Sequence, residues 1–156
     1  MTTILIICAI VLVPALFGAA LQSVFRRDRA FIGGGVLGLA LAYLFFGFGH
    51  FALTEGMVEM LPPFVPFRRE LIWATGIWEI VIAVGLLIPG TRRWAGVASI
   101  LTLLAFFPAN VYAALNFTGL GGHATGPEYL LIRTPLQVFL IAWTWFFVLR
   151  RASAPA

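Results

Sequence analysis

Apolar residues fill five long runs of this chain, and polar residues gather in the breaks between them. The runs cover roughly residues 3–25, 30–53, 71–88, 94–115 and 135–149. A bilayer core of about 30 Å asks for about 20 helical residues at a rise of about 1.5 Å each. Only the last run is short by that measure, and it gains length by snorkelling toward Arg151. All five are expected to be helices, because lipid offers no partner to an unpaired backbone group. The pattern therefore predicts an all-α integral membrane protein, a bundle of five transmembrane helices. Their ends are punctuated: Thr134 and Pro135 read as N-cap and first residue of the last helix, and Pro89-Gly90 stops the third. In the second run Gly34 and Gly38 form a GxxxG, with Gly35, Ala42 and Gly47 nearby, which we read as packing within the bundle rather than a dimer face.

Composition agrees with this pattern. Hydrophobic residues make up 62% and charged residues 10% of the 156 positions, against about 25% charged in a soluble domain, and the mean hydropathy is +1.02. A net charge of +4 would suit nucleic acid, but the basic residues are all Arg and cluster beside apolar runs, so they read as topology signals. Arg26, Arg27, Arg29, Arg92, Arg93, Arg150 and Arg151 fall on one side, and Arg68, Arg69 and Arg133 on the other. The positive-inside rule then places the N-terminus outside and the C-terminus in the cytoplasm. The first run lacks the basic leader of a signal peptide and is expected to stay in the protein. Cys8 is the only cysteine, so no intramolecular disulfide or dithiol relay is possible.

With that orientation, both unusual connections lie outside. "GHFALTEGMVEMLPPFVP", residues 49–66, is too proline-rich for a further helix yet too apolar for a free loop. It is expected to form a re-entrant or capping loop, with Pro62, Pro63 and Pro66, that seals a pocket in the outer half of the bundle. Four helices bring polar residues toward that half: His50 near the end of the second, Glu79 eight residues into the third and so roughly 12 Å down, Asn110 near the end of the fourth, and Arg133 and Gln137 at the start of the fifth. These are the candidate ligand-binding residues. Glu79 carries the most information, because an ionised carboxylate at membrane depth costs several kcal/mol unless paired or protonated. It shares a face with Gly76, Thr75 and Ala83, which packs inward.

Each candidate has a structural alternative. Glu79 can lock the bundle, His50 can end a helix by bonding Glu79, Glu55 or a carbonyl, and Asn110 can satisfy backbone freed by Pro108. Arg133 and Gln137 can be a helix-start anchor. His123, in "GLGGHATG", reads as a loop residue, and two histidines are too few for a haem pattern. Asn116 opens an N-x-T sequon, which carries little without the host. No metal site is legible.

The ordered series "GLALAYLFFGFGHF", "MVEMLPPFVP", "ATGIWEIVIAVGLLIPGTRRWAG", "FPANVYAALN" and "RTPLQVFLIAW" resembles the DoxX family of small bacterial and archaeal membrane proteins, over about residues 30–145. The resemblance implies a four-helix domain over residues 30–151, preceded by an additional helix and basic loop at 1–29 and followed by a short cytoplasmic tail at 152–156. His50, Pro62, Pro63, Glu79, Asn110 and Arg133 match the family pattern. The family takes its name from the small membrane subunit of a thiosulfate:quinone oxidoreductase, so the resemblance implies the cytoplasmic membrane and an association with redox systems; it assigns no residue a catalytic role. Three functions follow as expectations. The first is a redox-associated subunit that binds a quinone-like or other lipophilic molecule and receives electrons from a membrane or periplasmic partner, with Glu79 or His50 carrying the proton. The second is a binding or transport module without chemistry. The third is an assembly subunit whose aromatic last helix, with Trp143, Trp145, Phe146 and Phe147, meets a partner.

Overall fold

The computed structural model describes residues 2–25, 30–116 and 126–150, and within them the chain is all-helical. Helix α1 spans Thr2–Phe25, α2 Ala30–Ala52, a short α3 Thr54–Glu59, α4 Arg68–Leu87, α5 Arg92–Leu115 and α6 Leu130–Thr144. A 3-10 turn, Pro127–Tyr129, leads into α6, and a π-helical segment, Trp145–Arg150, continues it. Five stretches are long and apolar enough to cross a membrane: Thr3–Val24, Ala30–Ala52, Arg68–Leu87, Arg92–Leu115 and Pro127–Arg150. The expectations that rest on Arg26, Arg27, Arg29, His123, Arg151 and the Thr of the sequon lie outside the described residues.

Three element boundaries differ from the sequence reading. The last helix does not start at Pro135, which lies inside α6. Pro127 takes the proline-first role instead, opening the 3-10 turn behind Gly126, whose φ of 89° suits glycine. The fifth apolar stretch is therefore 24 residues long, not short, and Arg133 sits within it rather than before it. Helix α4 begins at Arg68, so Glu79 is eleven residues in, about 16 Å along the axis rather than 12. Finally, part of "MVEMLPPFVP" is helical after all: α3 runs through Met57 and Val58 and stops three residues before Pro62, as expected of residues that precede a proline pair.

Small residues set how the helices meet. Gly34 and Gly38 of α2 lie directly on the Pro14 and Val11 carbonyls of α1, and Gly18 of α1 lies on the Ala30 carbonyl. The glycine stripe thus packs two antiparallel helices of the same chain. Helix α2 is the centre of the bundle. One of its faces joins Val36, Leu39, Ala40 and Tyr43 to Ile82, Ala83 and Leu86 of α4 and to Val148. Another joins Ala42 to Ile7 and Val11 of α1 and to Leu136 and Leu140 of α6.

Buried hydroxyls tie the apolar faces together. The Tyr43 hydroxyl donates to the Ser99 carbonyl at 2.9 Å and accepts from Ser99 Oγ at 2.8 Å. Ser99 Oγ is 3.4 Å from Thr144 Oγ1, which donates to the Leu140 carbonyl at 2.8 Å. This layer links α2, α5 and α6 with all three side chains fully buried. Between α4 and α5, the Trp78 indole N–H donates to Thr102 Oγ1 at 2.9 Å.

Candidate functional site

Helices α2 and α4 cross where Gly47 faces Gly76. A Cβ on Gly76 would lie 2.7 Å from His50 Cβ and 3.0 Å from the Gly47 carbonyl, and one on Gly47 would lie 2.9 Å from the Gly76 carbonyl. Only glycine fits either place. His50 and Glu79 each stand three residues beyond one of these glycines. Helical side chains lean toward the N-terminus of their own helix, and these helices run in opposite directions, so the two side chains lean toward each other. They meet with His50 Nε2 3.2 Å from Glu79 Oε2, and both are buried.

The other face of the imidazole is fixed. His50 Nδ1 lies 2.9 Å from the Ile72 carbonyl and 3.1 Å from Thr75 Oγ1. A carbonyl can only accept. The Thr75 hydroxyl has the Leu71 and Ile72 carbonyls at 2.9 Å to take its hydrogen, which leaves its oxygen able to accept from the histidine too. Nδ1 therefore carries a proton. The neutral form of the ring then presents a lone pair at Nε2, and an ionised Glu79 would place a second lone pair 3.2 Å from it. The repulsion is removed by one proton between Nε2 and Oε2, held either by the ring or by the carboxyl. In both forms the pair as a whole is uncharged.

Distance and alignment give different pictures of this contact. At 3.2 Å it is an ion-pair separation, yet the direction from Nε2 is poor enough that Oε2 is the one buried side-chain polar atom without a hydrogen bond among the described residues. We take both facts together: the two atoms are at ion-pair distance without an aligned hydrogen bond, and Oε2 keeps unused acceptor capacity. Native interiors satisfy the great majority of such atoms. An exception calls for a donor from elsewhere.

The surroundings hold this geometry. Thr54 Oγ1 donates to the His50 carbonyl at 2.7 Å, which is one of the carbonyls left open at the end of α2, and Trp73 Nε1 donates to Thr54 Oγ1 at 3.2 Å. Phe106 of α5 approaches from another side, its ring centroid 6.0 Å from that of the imidazole. The Arg133 guanidinium is near enough for its charge to act on Glu79.

Of the residues singled out from sequence, His50 and Glu79 are thus brought together, with Arg133 in electrostatic reach. Asn110 is buried but donates from Nδ2 to the Phe106 carbonyl of its own helix at 3.0 Å. Gln137 is buried one turn beyond Arg133 on α6. Pro62, Pro63 and Pro66 shape the turn between α3 and α4, where Val65 N–H reaches the Pro62 carbonyl at 3.0 Å. That turn leaves Phe64 and Phe67 85% and 79% exposed and supplies none of the hydrogen bonds of the pair. Sequence reasoning placed Thr75 on the right face without giving it a task, and it missed Phe106, which nothing distinguishes among fifteen phenylalanines. No group of three or more metal-ligating side chains occurs among the described residues.

An antiparallel bundle of five long apolar helices around a buried His–Glu pair defines the class of protein. Residues 39–148 match the family model described as Domain of unknown function (DUF8561), and the chain belongs to that family. The match takes in His50, Glu79, Asn110, Arg133 and Gln137 and leaves out α1. No curated protein and no solved structure matches the chain.

Proposed function

We propose that the chain is an integral protein of a bacterial or archaeal cytoplasmic membrane, of the DoxX type, that binds a lipophilic small molecule with a quinone-like headgroup at the His50–Glu79 pair. It would act as a redox-associated subunit, with electrons supplied by a membrane or periplasmic partner. The observation that carries this reading is the buried Glu79 Oε2, without a hydrogen-bond partner and 3.2 Å from His50 Nε2. A buried acceptor and a transferable proton, surrounded by apolar walls, suit a headgroup that exchanges hydrogen bonds. The resemblance to DoxX supports the redox association, and the five apolar stretches support insertion. In this reading the exposed Phe64 and Phe67 lie in the outer membrane interface.

The test is a native mass spectrum of the protein purified in mild detergent, with organic extraction and an absorption spectrum of the same sample, for wild type and Glu79→Gln. A quinone or other lipophile retained by wild type and lost from the variant is the expected result. Bare protein in both samples overturns it. A second reading, a structural or assembly subunit, is favoured by the way Asn110, Trp73 and Trp78 all spend their donors inside the bundle. It predicts that bare result together with a co-purifying untagged partner.

A further inference from the structure

Two grooves are lined by neighbours of the pair. The larger, about 630 Å³, is lined by Phe51, Leu53, Thr54, Glu55, Arg69 and Trp73. Its lining carries the Trp73–Thr54 hydrogen bond and the charged Glu55 and Arg69, and does not include Glu79. The second, about 470 Å³, runs between α4 and α5 and is walled by Trp78, Trp94, Val97, Leu101, Ala105 and Phe106. Its lining offers almost no polar surface, since the Trp78 N–H and Thr102 hydroxyl are used on each other.

Phe106 belongs to both places. It walls the groove, and its ring packs toward the His50 imidazole. It also sits in the turn of α5 that Pro108 loosens: proline has no N–H, so the Leu104 carbonyl loses its partner in the helix ladder. The Phe106 ring can swing aside without unpicking a side-chain hydrogen bond, and it is the part of the wall that also meets His50.

From the groove, the double placement of Phe106 and the orphaned Glu79 Oε2, we propose that the α4–α5 groove is the lateral entrance to the His50–Glu79 pair, gated by Phe106, and that its ligand is a lipophile bearing a hydroxyl donor. The donor follows from the acceptor left open at Oε2, and the apolar body from the walls. A hydroquinone has this chemistry and a fully oxidised quinone does not. The inference rests on the binding-site reading above and makes it specific as to route and hydrogen-bonding state.

Dicyclohexylcarbodiimide, a lipophilic reagent for protonated carboxyl groups, reads the route directly. The full chain in phosphatidylethanolamine and phosphatidylglycerol vesicles is treated with it, and adducts are mapped by peptide mass spectrometry. Glu79 is expected to be modified. The rate should rise severalfold in Phe106→Ala and fall severalfold in Ala105→Trp, which fills the groove, while Leu104→Ala, outside the lining, leaves it unchanged. Decylhydroquinone should protect, and its dimethyl ether, which has no donor, should not. Each variant is first checked for a monodisperse elution profile, and Ala105→Trp keeps the test intact where Phe106→Ala fails it. Modification of Glu79 at one rate in every variant overturns the route and leaves the binding site standing. Equal protection by the ether overturns the donor. Absence of modification together with loss of any co-extracted lipophile overturns the binding-site reading itself.

Discussion

At Nδ1 of His50 a carbonyl and a hydroxyl converge, and the carbonyl, the nearer of the two, can only accept. This makes the tautomer a firm expectation: Nδ1 stays protonated whether the shared proton resides on Nε2 or on Glu79. Nitrogen chemical shifts of labelled histidine, with Glu79→Gln as comparison, check it, and a bare Nδ1 with a protonated Nε2 in wild type contradicts it. The pair also predicts an energetic coupling. Removing either member leaves a buried polar group without its partner, at about 1–3 kcal/mol, or more if a charge is stranded. His50→Ala and Glu79→Ala should therefore each lower stability in detergent, and the double variant should cost less than the two together by about 0.5–3 kcal/mol. Strict additivity in thermal or denaturant unfolding would mean that the side chains are neighbours without an interaction. Glu79→Gln, which keeps the shape and offers an amide hydrogen to Nε2, should cost much less than Glu79→Ala. At this scale the sequence was informative about identity: a lone carboxylate on a small-residue face and a histidine at a helix end were visible. Their distance was not, because it depends on the crossing of two helices.

That crossing is the business of whole elements. Gly47 and Gly76 let α2 and α4 touch backbone to backbone, and the touch aims the pair. Gly76→Ala would drive a methyl against His50 Cβ at 2.7 Å and the Gly47 carbonyl at 3.0 Å. The carbonyl cannot yield as a side-chain tip can, so the helices must part. We expect a loss of about 1–3 kcal/mol, as for other overpacked sites, together with weakened coupling between His50 and Glu79. Gly33→Ala is the fitting control: no atom lies within 4 Å of its added Cβ, and helix propensity alone should stabilise it by up to about 1 kcal/mol. A Gly76→Ala protein as stable as Gly33→Ala would contradict this account of the crossing. The same level explains where reading the sequence fell short. Five apolar helices and the inward glycine stripe were legible, since both are written in residue type and spacing. The start of α6 was not, because Pro127 and Pro135 both suit the first turn of a helix and the one nearer the apolar run carries the stronger local signal. The short α3 was hidden because its helical residues share a segment with the prolines that end it.

On the scale of the whole molecule, the polar pair lies toward the pole where α2 and α5 end and α4 and α6 begin. If the bundle is inserted as the arginines direct, that pole faces outward. Arginine placement controls this with some margin, seven residues against three, and the margin is concentrated in one place. Arg26, Arg27 and Arg29 lie between the first two helices, within reach of the segment that enters the membrane first, where positive charge weighs most. Replacing the three by Gln leaves four against three, nearly a balance. Wild type is therefore expected to hold a C-terminal fluorescent reporter in the cytoplasm and to expose a cysteine at Phe64 to membrane-impermeant reagents from outside. The triple variant should populate both orientations, with part of the reporter dark and part of the cysteine protected. Replacing Arg68 and Arg69 instead should leave a single orientation, because it widens the difference. A cytoplasmic Phe64→Cys in otherwise wild-type protein would invert the bundle, and the proton of the His50–Glu79 pair would then exchange with the cytoplasm rather than with the outside.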